Sequence, residues 1–447
     1  MVGLQKNDQV RLSITSLTFD GLGVGKWEGV PIFVRDTAPG DEILCRIVKV
    51  RRRFCYGICM SLLKPSPDRA GTNCPVSGPC GGCCYHHVRY DAELNYKRQR
   101  VIDSYRLNYP GSVLVNPVIP SFPSEGYRHK VLCPFGPDGK TGFFARNSHR
   151  VIPWEDCRIQ HPDFAPLRRC AEDFATRYGL EIYEESRGTG LLRYLYLRRS
   201  YLTGKIMVCA VVSDGDFPRK AWVKAFRAFP QVCSIFLNRN TGRGNGVLGH
   251  QFELLWGEPV LEDGMNGLHF SVSPGAFYQV NPSQAARIYA DAKACGLRPE
   301  DTVLDLYCGT GTIGLTLAGE VKRVVGVEVI PSAVENAREN ARRNQIENAS
   351  FFTADASDFL SLLREREIVP DAVVVDPPRK GLSAEAIQGL RTLAPRQILY
   401  ISCDPATQAR DAARLADLYT LGPIRPYDMF PRTAHVECVS VLSRKAQ

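Results

Sequence analysis

The residue in this chain most ready for covalent chemistry is a thiol at the end of an apolar run. Ile398-Leu399-Tyr400-Ile401-Ser402-Cys403-Asp404-Pro405 reads as a β-strand that stops at Cys403 and a proline turn. Open α/β sheets place their ligands at the carboxyl ends of strands, so Cys403 is a candidate nucleophile. Its competing fate is the ordinary one of a buried packing cysteine. A second group of thiols lies in Cys74-Pro75-Val76-Ser77-Gly78-Pro79-Cys80-Gly81-Gly82-Cys83. Three thiolates in so short and glycine-rich a stretch make a metal-ligand loop, with Cys157 as the candidate fourth ligand. Cys84 adjoins Cys83 and is poorly placed for the same centre. Soft thiolates suit zinc or iron and sulfur alike, and His86 and His87 keep zinc open.

The glycine-rich stretch Cys308-Gly309-Thr310-Gly311-Thr312-Ile313-Gly314 follows the strand-like Thr302-Val303-Leu304-Asp305-Leu306-Tyr307. Alone it suits any nucleotide-containing cofactor. Asp305 just ahead of the glycines and Glu328 at the end of the next strand, where a carboxylate reaches ribose hydroxyls, tilt it toward S-adenosylmethionine. Asp355, expected to close the third strand, is placed to meet the adenine. The fourth strand runs into Asp376-Pro377-Pro378-Arg379-Lys380-Gly381. No aromatic base-stacking residue follows this turn, as amine methyltransferases often have, and no cysteine sits in it, as in cytosine-5 enzymes. The thiol follows the fifth strand instead.

These sites need elements to hold them. With 447 residues the chain exceeds one core and implies two to four domains. Lys and Arg number 56 against 47 Asp and Glu, a net charge of +9, which suits a polyanionic partner. The N-terminus lacks an apolar signal core and no run is long enough to span a bilayer, so a soluble, cytoplasmic protein is expected. Sixteen cysteines there are not a disulfide framework. Residues 1–66 alternate apolar and polar positions between turns and predict a small five-stranded OB-like barrel. Its last strands join Arg46, Lys49, Arg51, Arg52 and Arg53 to Phe54 and Tyr56, a surface for nucleic acid. Residues 67–265 form a second, β-rich unit with a basic helix from Tyr90 to Arg106 and one further helical stretch around Pro166 to Tyr178. In it, Gly126-Tyr127-Arg128-His129-Lys130 and Gly142-Phe143-Phe144-Ala145-Arg146 combine cations with aromatics and are either RNA contacts or sheet-surface residues packing against the barrel. Residues 266–447 alternate strands and helices, the pattern of a Rossmann-like doubly wound sheet.

The first unit resembles the TRAM domain of RNA-modifying enzymes. Cys74, Cys80, Cys83 and Cys157 resemble the 4Fe-4S site of bacterial RNA uracil-5 methyltransferases, with zinc the lesser alternative. Asp305-Leu306-Tyr307-Cys308-Gly309, Asp376-Pro377-Pro378-Arg379-Lys380-Gly381, Ser402-Cys403-Asp404-Pro405-Ala406-Thr407 and Met429-Phe430-Pro431 through His435-Val436-Glu437 are similar to the same enzymes. The likeness spans essentially the whole chain and is strongest to the 23S ribosomal RNA (uracil-5-)-methyltransferases. It implies a cytoplasmic enzyme making 5-methyluridine, with Cys403 as nucleophile and Glu437 as general base. It implies Gln279, Tyr307, Thr312, Glu328, Asp355 and Asp376 around S-adenosylmethionine, and Phe277 stacking on the target uracil. Asp404 stands where the family often has Asn, and Thr312 where some members have Asn. A tRNA uracil-5 methyltransferase is the alternative. A non-catalytic RNA-binding or ribosome-assembly protein is a further one, disfavoured by intact Cys403, Asp376 and Glu437. No obligate protein partner is implied.

Overall fold

Alternating burial closes the N-terminal strands into a barrel. The structure, a computed structural model, describes residues 3–446 except Asn245 and Ser357, so the outermost limits of the first and last expected domains lie outside the described residues. Strands Gln9–Leu17, Gly23–Trp27, Val30–Val34, Cys55–Lys64 and Glu42–Val50 form the closed barrel in that order. Val10, Leu12, Ile14, Ile32, Val34, Ile43, Cys45 and Ile47 point inward and fill it. Period-two patterning leaves the alternate positions facing out.

The middle of the chain builds a five-stranded sheet in the order Gln251–Gly257, Val232–Arg239, Ile206–Val212, Leu192–Arg199 and Lys130–Pro134. Every residue of Ile206–Val212 is buried. Both faces of the sheet are covered, which explains a run with no polar alternation. One face, with Leu195, Leu197, Val208 and Ala210, packs under two helices, Phe164–Arg177 and Arg219–Phe226. The other face, with Tyr194, Tyr196, Met207, Cys209 and Val211, shares one core with the C-terminal unit. The second of these helices departs from the expectation of one helical stretch. It is short and rich in Lys and Arg, and Trp222 and Phe226, one turn apart and both buried, anchor it.

The C-terminal sheet runs Ala349–Thr353, Arg323–Glu328, Thr302–Leu306, Ala372–Val375, Gln397–Ser402, Glu437–Arg444 and Tyr419–Leu421, with Arg425–Tyr427 pairing on Glu437–Arg444. The first five strands are mutually parallel and Glu437–Arg444 is antiparallel to them. This is the expected doubly wound architecture, and its strand ends define the crevice where such folds bind ligands. The third-strand expectation needs one correction. The strand ends at Thr353, and Asp355 stands exposed in the loop beyond.

Contacts remote in sequence tie the first half of the chain to this crevice. Helix Tyr90–Asn108 packs on helix Pro405–Leu415, where the Tyr105 hydroxyl donates to Gln408 Oε1 at 2.9 Å. Its fully buried Lys97 ammonium donates to Glu93 Oε1 at 2.8 Å and to Asp428 Oδ1 at 2.5 Å. A buried ammonium without such partners would be too costly to desolvate. The pairing fixes the segment 428–436 that leads into Glu437. Among the described residues no helix is long and apolar enough to cross a membrane.

Candidate active site and thiol cavity

Strand ends bring most of the expected residues together. Asp376 directly follows Ala372–Val375, Cys403 follows Gln397–Ser402, and Glu437 opens its antiparallel strand at the same end. Ser402 pairs with Cys438, so Cys403 and Glu437 are the next neighbours as the two strands leave the ladder. Asp404 caps helix Pro405–Leu415, its Oδ1 accepting from Ala406 N at 2.9 Å and Thr407 N at 3.3 Å. Asp and Asn cap helices equally well, which accounts for Asp404 in place of Asn.

The electrostatics of this cluster are those of shared negative charge in a dry crevice. Burial first, then Glu437 and Asp376, push the Cys403 thiol up to about 11, while Arg379 pulls it down. Burial and Asp376 likewise hold the Glu437 carboxyl well above the usual range, again opposed by Arg379. Burial raises Asp376 to about 7. Asp305, buried, with Asp376 and Glu328 adding to the effect, rises to about 8. The free chain at neutral pH therefore stores protons on these groups, and a bound cation would release them. Arg379 faces both Cys403 and Glu437, and its guanidinium also lies 3.4 Å from His435 Nε2. In the sequence Arg379 reads only as a turn residue, and its place right after Asp376-Pro377-Pro378 is the signal that ties it to the site.

The glycine loop forms a cradle next to the acids. Gly309 has φ +54 with nothing near where a Cβ would stand, so the loop surface there is open to a ligand. Glu328 Oε2 accepts from Gly309 N at 3.2 Å and its Oε1 from Ile330 N at 3.0 Å, which aims the carboxylate across the loop. Asp305 Oδ2 accepts from Gly314 N at 2.9 Å and its Oδ1 is buried without a partner. Tyr307, itself at φ +64, lies within electrostatic reach of Asp355. Gln279 and Thr312 reach the hydroxyl of buried Tyr289, with Asp376 and Glu437 also near it. Tyr289 was not singled out in the sequence, where it reads as a core residue of helix Pro282–Lys293.

Phe277 stays apart, its side chain 70% exposed. The loop that carries it is nonetheless held, because buried Arg198 of the middle sheet donates to Ala276 O at 2.7 Å and Ser273 O at 3.2 Å. An exposed aromatic on a tethered loop is available for stacking.

Cys74, Cys80, Cys83 and Cys157 converge on one cavity of about 350 Å³, which Phe143, Trp154 and Arg432 also line. Cys84 turns away into a separate small core with Tyr85, Val88 and Ala434. Burial, then backbone hydrogen bonds working the other way, leave Cys157 at about 11, and burial raises Cys80 and Cys83 as well. Among the described residues no three of the four sulfurs lie within 4.8 Å of one another. On the barrel, Phe33, Phe54 and Tyr56 pack with ring centroids 5.3 to 5.7 Å apart beside the exposed Arg51, Arg52 and Arg53.

Residues 260–445 match the tRNA (uracil-5-)-methyltransferase family and residues 4–59 the TRAM domain. The chain is 37% identical to an uncharacterized RNA methyltransferase of Halalkalibacterium halodurans, covering 99% of this chain and 98% of that one. It is 34% identical to an uncharacterized RNA methyltransferase of Clostridium acetobutylicum, over 99% of each chain. Among solved structures, the tRNA (uracil-54, C5)-methyltransferase of Pyrococcus abyssi in complex with S-adenosyl-L-homocysteine superposes with a TM-score of 0.79. That match has 27% identity and covers 97% of this chain and 100% of that one.

Proposed function

Because the chain belongs to the RNA methyltransferases that join a TRAM domain to a tRNA (uracil-5-)-methyltransferase domain, we propose that it methylates C5 of an RNA uridine through a transient Cys403–C6 bond and, from the resemblance of its motifs and its four cysteines to the 23S ribosomal RNA enzymes, that this uridine lies in 23S ribosomal RNA. The observation that carries this reading is the meeting of Cys403, Glu437, Asp376 and Arg379 at one end of the sheet. C5 of uracil is a weak carbon nucleophile, and addition of the Cys403 thiolate at C6 turns C5 into an enolate carbon. S-adenosylmethionine supplies the methyl group as an electrophilic sulfonium. Glu437 then takes the C5 proton, the C5–C6 double bond re-forms and the Cys403 thiolate leaves. Arg379 steadies the negative charge that passes from thiolate to uracil and back. The open Gly309 backbone, Glu328 and the unpartnered Asp305 oxygen suit a ribose and a sulfonium, with Gln279, Thr312, Tyr307, Asp355 and Asp376 completing the cofactor shell. A uridine in folded RNA must be extruded to reach this crevice, at a cost of a few kcal/mol. Phe277 and the barrel's aromatic and basic surface are suited to offset it.

A second reading, a tRNA substrate, is favoured by the Pyrococcus abyssi enzyme, which matches the chain over almost its whole length. That match takes in the barrel as well as the catalytic unit, so the barrel is compatible with a tRNA substrate. Incubating the protein with labelled S-adenosylmethionine and unmodified 23S ribosomal RNA or tRNA, then mapping 5-methyluridine, separates the two. Label in ribosomal RNA is expected; label in tRNA alone transfers the assignment, and label in neither removes it.

The four convergent thiols, three of them in the spacing Cys74, Cys80, Cys83 with Cys157 distant in sequence, support a 4Fe-4S cluster, with zinc as the alternative. Thiols raised by burial would give up their protons on binding iron. Anaerobically purified protein is expected to be brown, with the colour and iron lost in Cys80→Ser. A colourless protein carrying stoichiometric zinc would contradict the cluster.

The raised acids also make cofactor preference depend on pH. Asp376 at about 7 and Asp305 at about 8 are largely protonated in mildly acidic solution and ionised above. Carboxylates favour a sulfonium over the neutral sulfur of S-adenosylhomocysteine. The affinity ratio of the two ligands is thus expected to rise toward S-adenosylmethionine between pH 6 and pH 8.5, read by calorimetry, with proton release on binding the sulfonium. A ratio independent of pH would place the sulfonium away from these acids.

A further inference from the structure

We propose that Asp36, His86 and His87 form a binding site for a divalent transition-metal cation of the zinc class, separate from the four thiols. Their donor atoms all lie within 4.8 Å of one another, where the barrel meets the segment that follows the thiol loop. Asp36 Oδ1 and His86 Nε2 stand 3.2 Å apart. A simple hydrogen bond would account for that pair but not for the third member. His87 is 4% exposed, and its buried ring nitrogens meet no side-chain partner, only the Thr37 backbone coming within reach of the ring, while His86 Nδ1 is buried without a partner. A buried imidazole has two nitrogens to satisfy, and the Thr37 backbone can serve only one of them, so beside another imidazole and a carboxylate His87 keeps a nitrogen for a ligand.

The backbone around the three residues is held in place. Asp36 occupies the left-handed region at φ +55, uncommon for a residue with a side chain, and Arg69 Nη2 donates to its carbonyl at 2.8 Å. Arg69 is also paired with Asp41 through two contacts of 2.8 Å, so its charge is met and the Asp36 carboxylate remains available. Tyr85 N donates to Arg432 O at 3.1 Å, and Ala70 N to His87 O at 2.9 Å, which fixes the chain on both sides of the histidine pair.

Two imidazoles and one carboxylate form the borderline N/O set that zinc prefers. The Asp36 side chain, 41% exposed, opens the site to solvent. Asp36 comes from the barrel and the histidines from the second unit, so a bound cation would clamp the two together.

The test is titration of cobalt(II) chloride into the anaerobically purified full-length protein. One equivalent is expected to give weak visible bands without intense thiolate-to-cobalt charge transfer, and zinc is expected to displace it. His87→Gln is expected to weaken this binding roughly tenfold or more. Because His87 is buried and its replacement could disturb folding, Asp36→Asn at the half-exposed position provides the second variant, with the same expected loss and unchanged circular dichroism. Cys80→Ser is expected to leave the weak bands in place. Wild-type cobalt affinity in Asp36→Asn, or uptake seen only as thiolate charge transfer, would overturn the site.

Discussion

Cys403→Ala is expected to reduce methyl transfer by on the order of 10⁴-fold or more, equivalent to about 5 kcal/mol of barrier, while leaving S-adenosylmethionine binding intact. The size follows from the chemistry. Without addition at C6 there is no enolate carbon at C5, and neither the glycine cradle nor the acids can replace that activation. Serine in the same place is expected to be nearly as inactive. Its hydroxyl ionises far less readily than a thiol, and the crevice that raises the Cys403 thiol to about 11 through burial, Glu437 and Asp376 would raise an alkoxide further. A thiol held that high also predicts that single-turnover transfer accelerates as pH rises through neutrality, since more thiolate is available at each step. The structural alternative, a cysteine that only packs, predicts lost stability and weaker cofactor binding with some transfer retained. Measuring label transfer, cofactor affinity and melting temperature on the same variant separates the two, and transfer surviving in Cys403→Ala would remove the covalent step.

The parts of this arrangement readable in the sequence were those carried by local pattern. The alternation of Val10, Leu12 and Ile14 announced the barrel, and the glycines after Asp305 announced a strand turning into a helix. The contributions that close the site come from pairings no local pattern contains. Lys97 meets Asp428 across more than three hundred residues, and the amides of Cys84 and Tyr85 meet the carbonyl of Arg432 on the way to Glu437. Tyr289 is a core residue of its helix, and only its hydroxyl touches the site, so its position in the sequence carries no sign of that contact. Helix Arg219–Phe226 was hidden by its length and charge, since two aromatics make up its whole buried face. Asp36 and the histidine pair lie fifty residues apart, and nothing in either segment alone indicates the other.

Glu437→Gln is expected to convert the enzyme from a turnover catalyst into one that stops after a single methyl transfer. In the proposed sequence the carboxylate acts after transfer, so its loss leaves Cys403 able to add at C6 and C5 able to take the methyl group. The C5 proton then has no acceptor, the C5–C6 double bond cannot re-form, and the Cys403–C6 bond persists. Protein and methylated RNA should therefore run as one covalent species on a denaturing gel, approaching one RNA per protein, with multiple turnover reduced by on the order of 10²-fold to 10⁴-fold. The same substitution carries a stability signature with a definite sign. Burial and Asp376 raise the folded-state pKa of Glu437 above its unfolded value, so the stabilisation from its bound proton is complete below the unfolded pKa and is lost as pH rises through the folded one. Glutamine keeps the shape and cannot ionise. The variant should melt no lower than wild type at acidic pH and higher than wild type in alkaline solution. A purely structural Glu437 would instead give a variant of lower stability with no covalent species, and wild-type turnover in Glu437→Gln would assign the proton to another group.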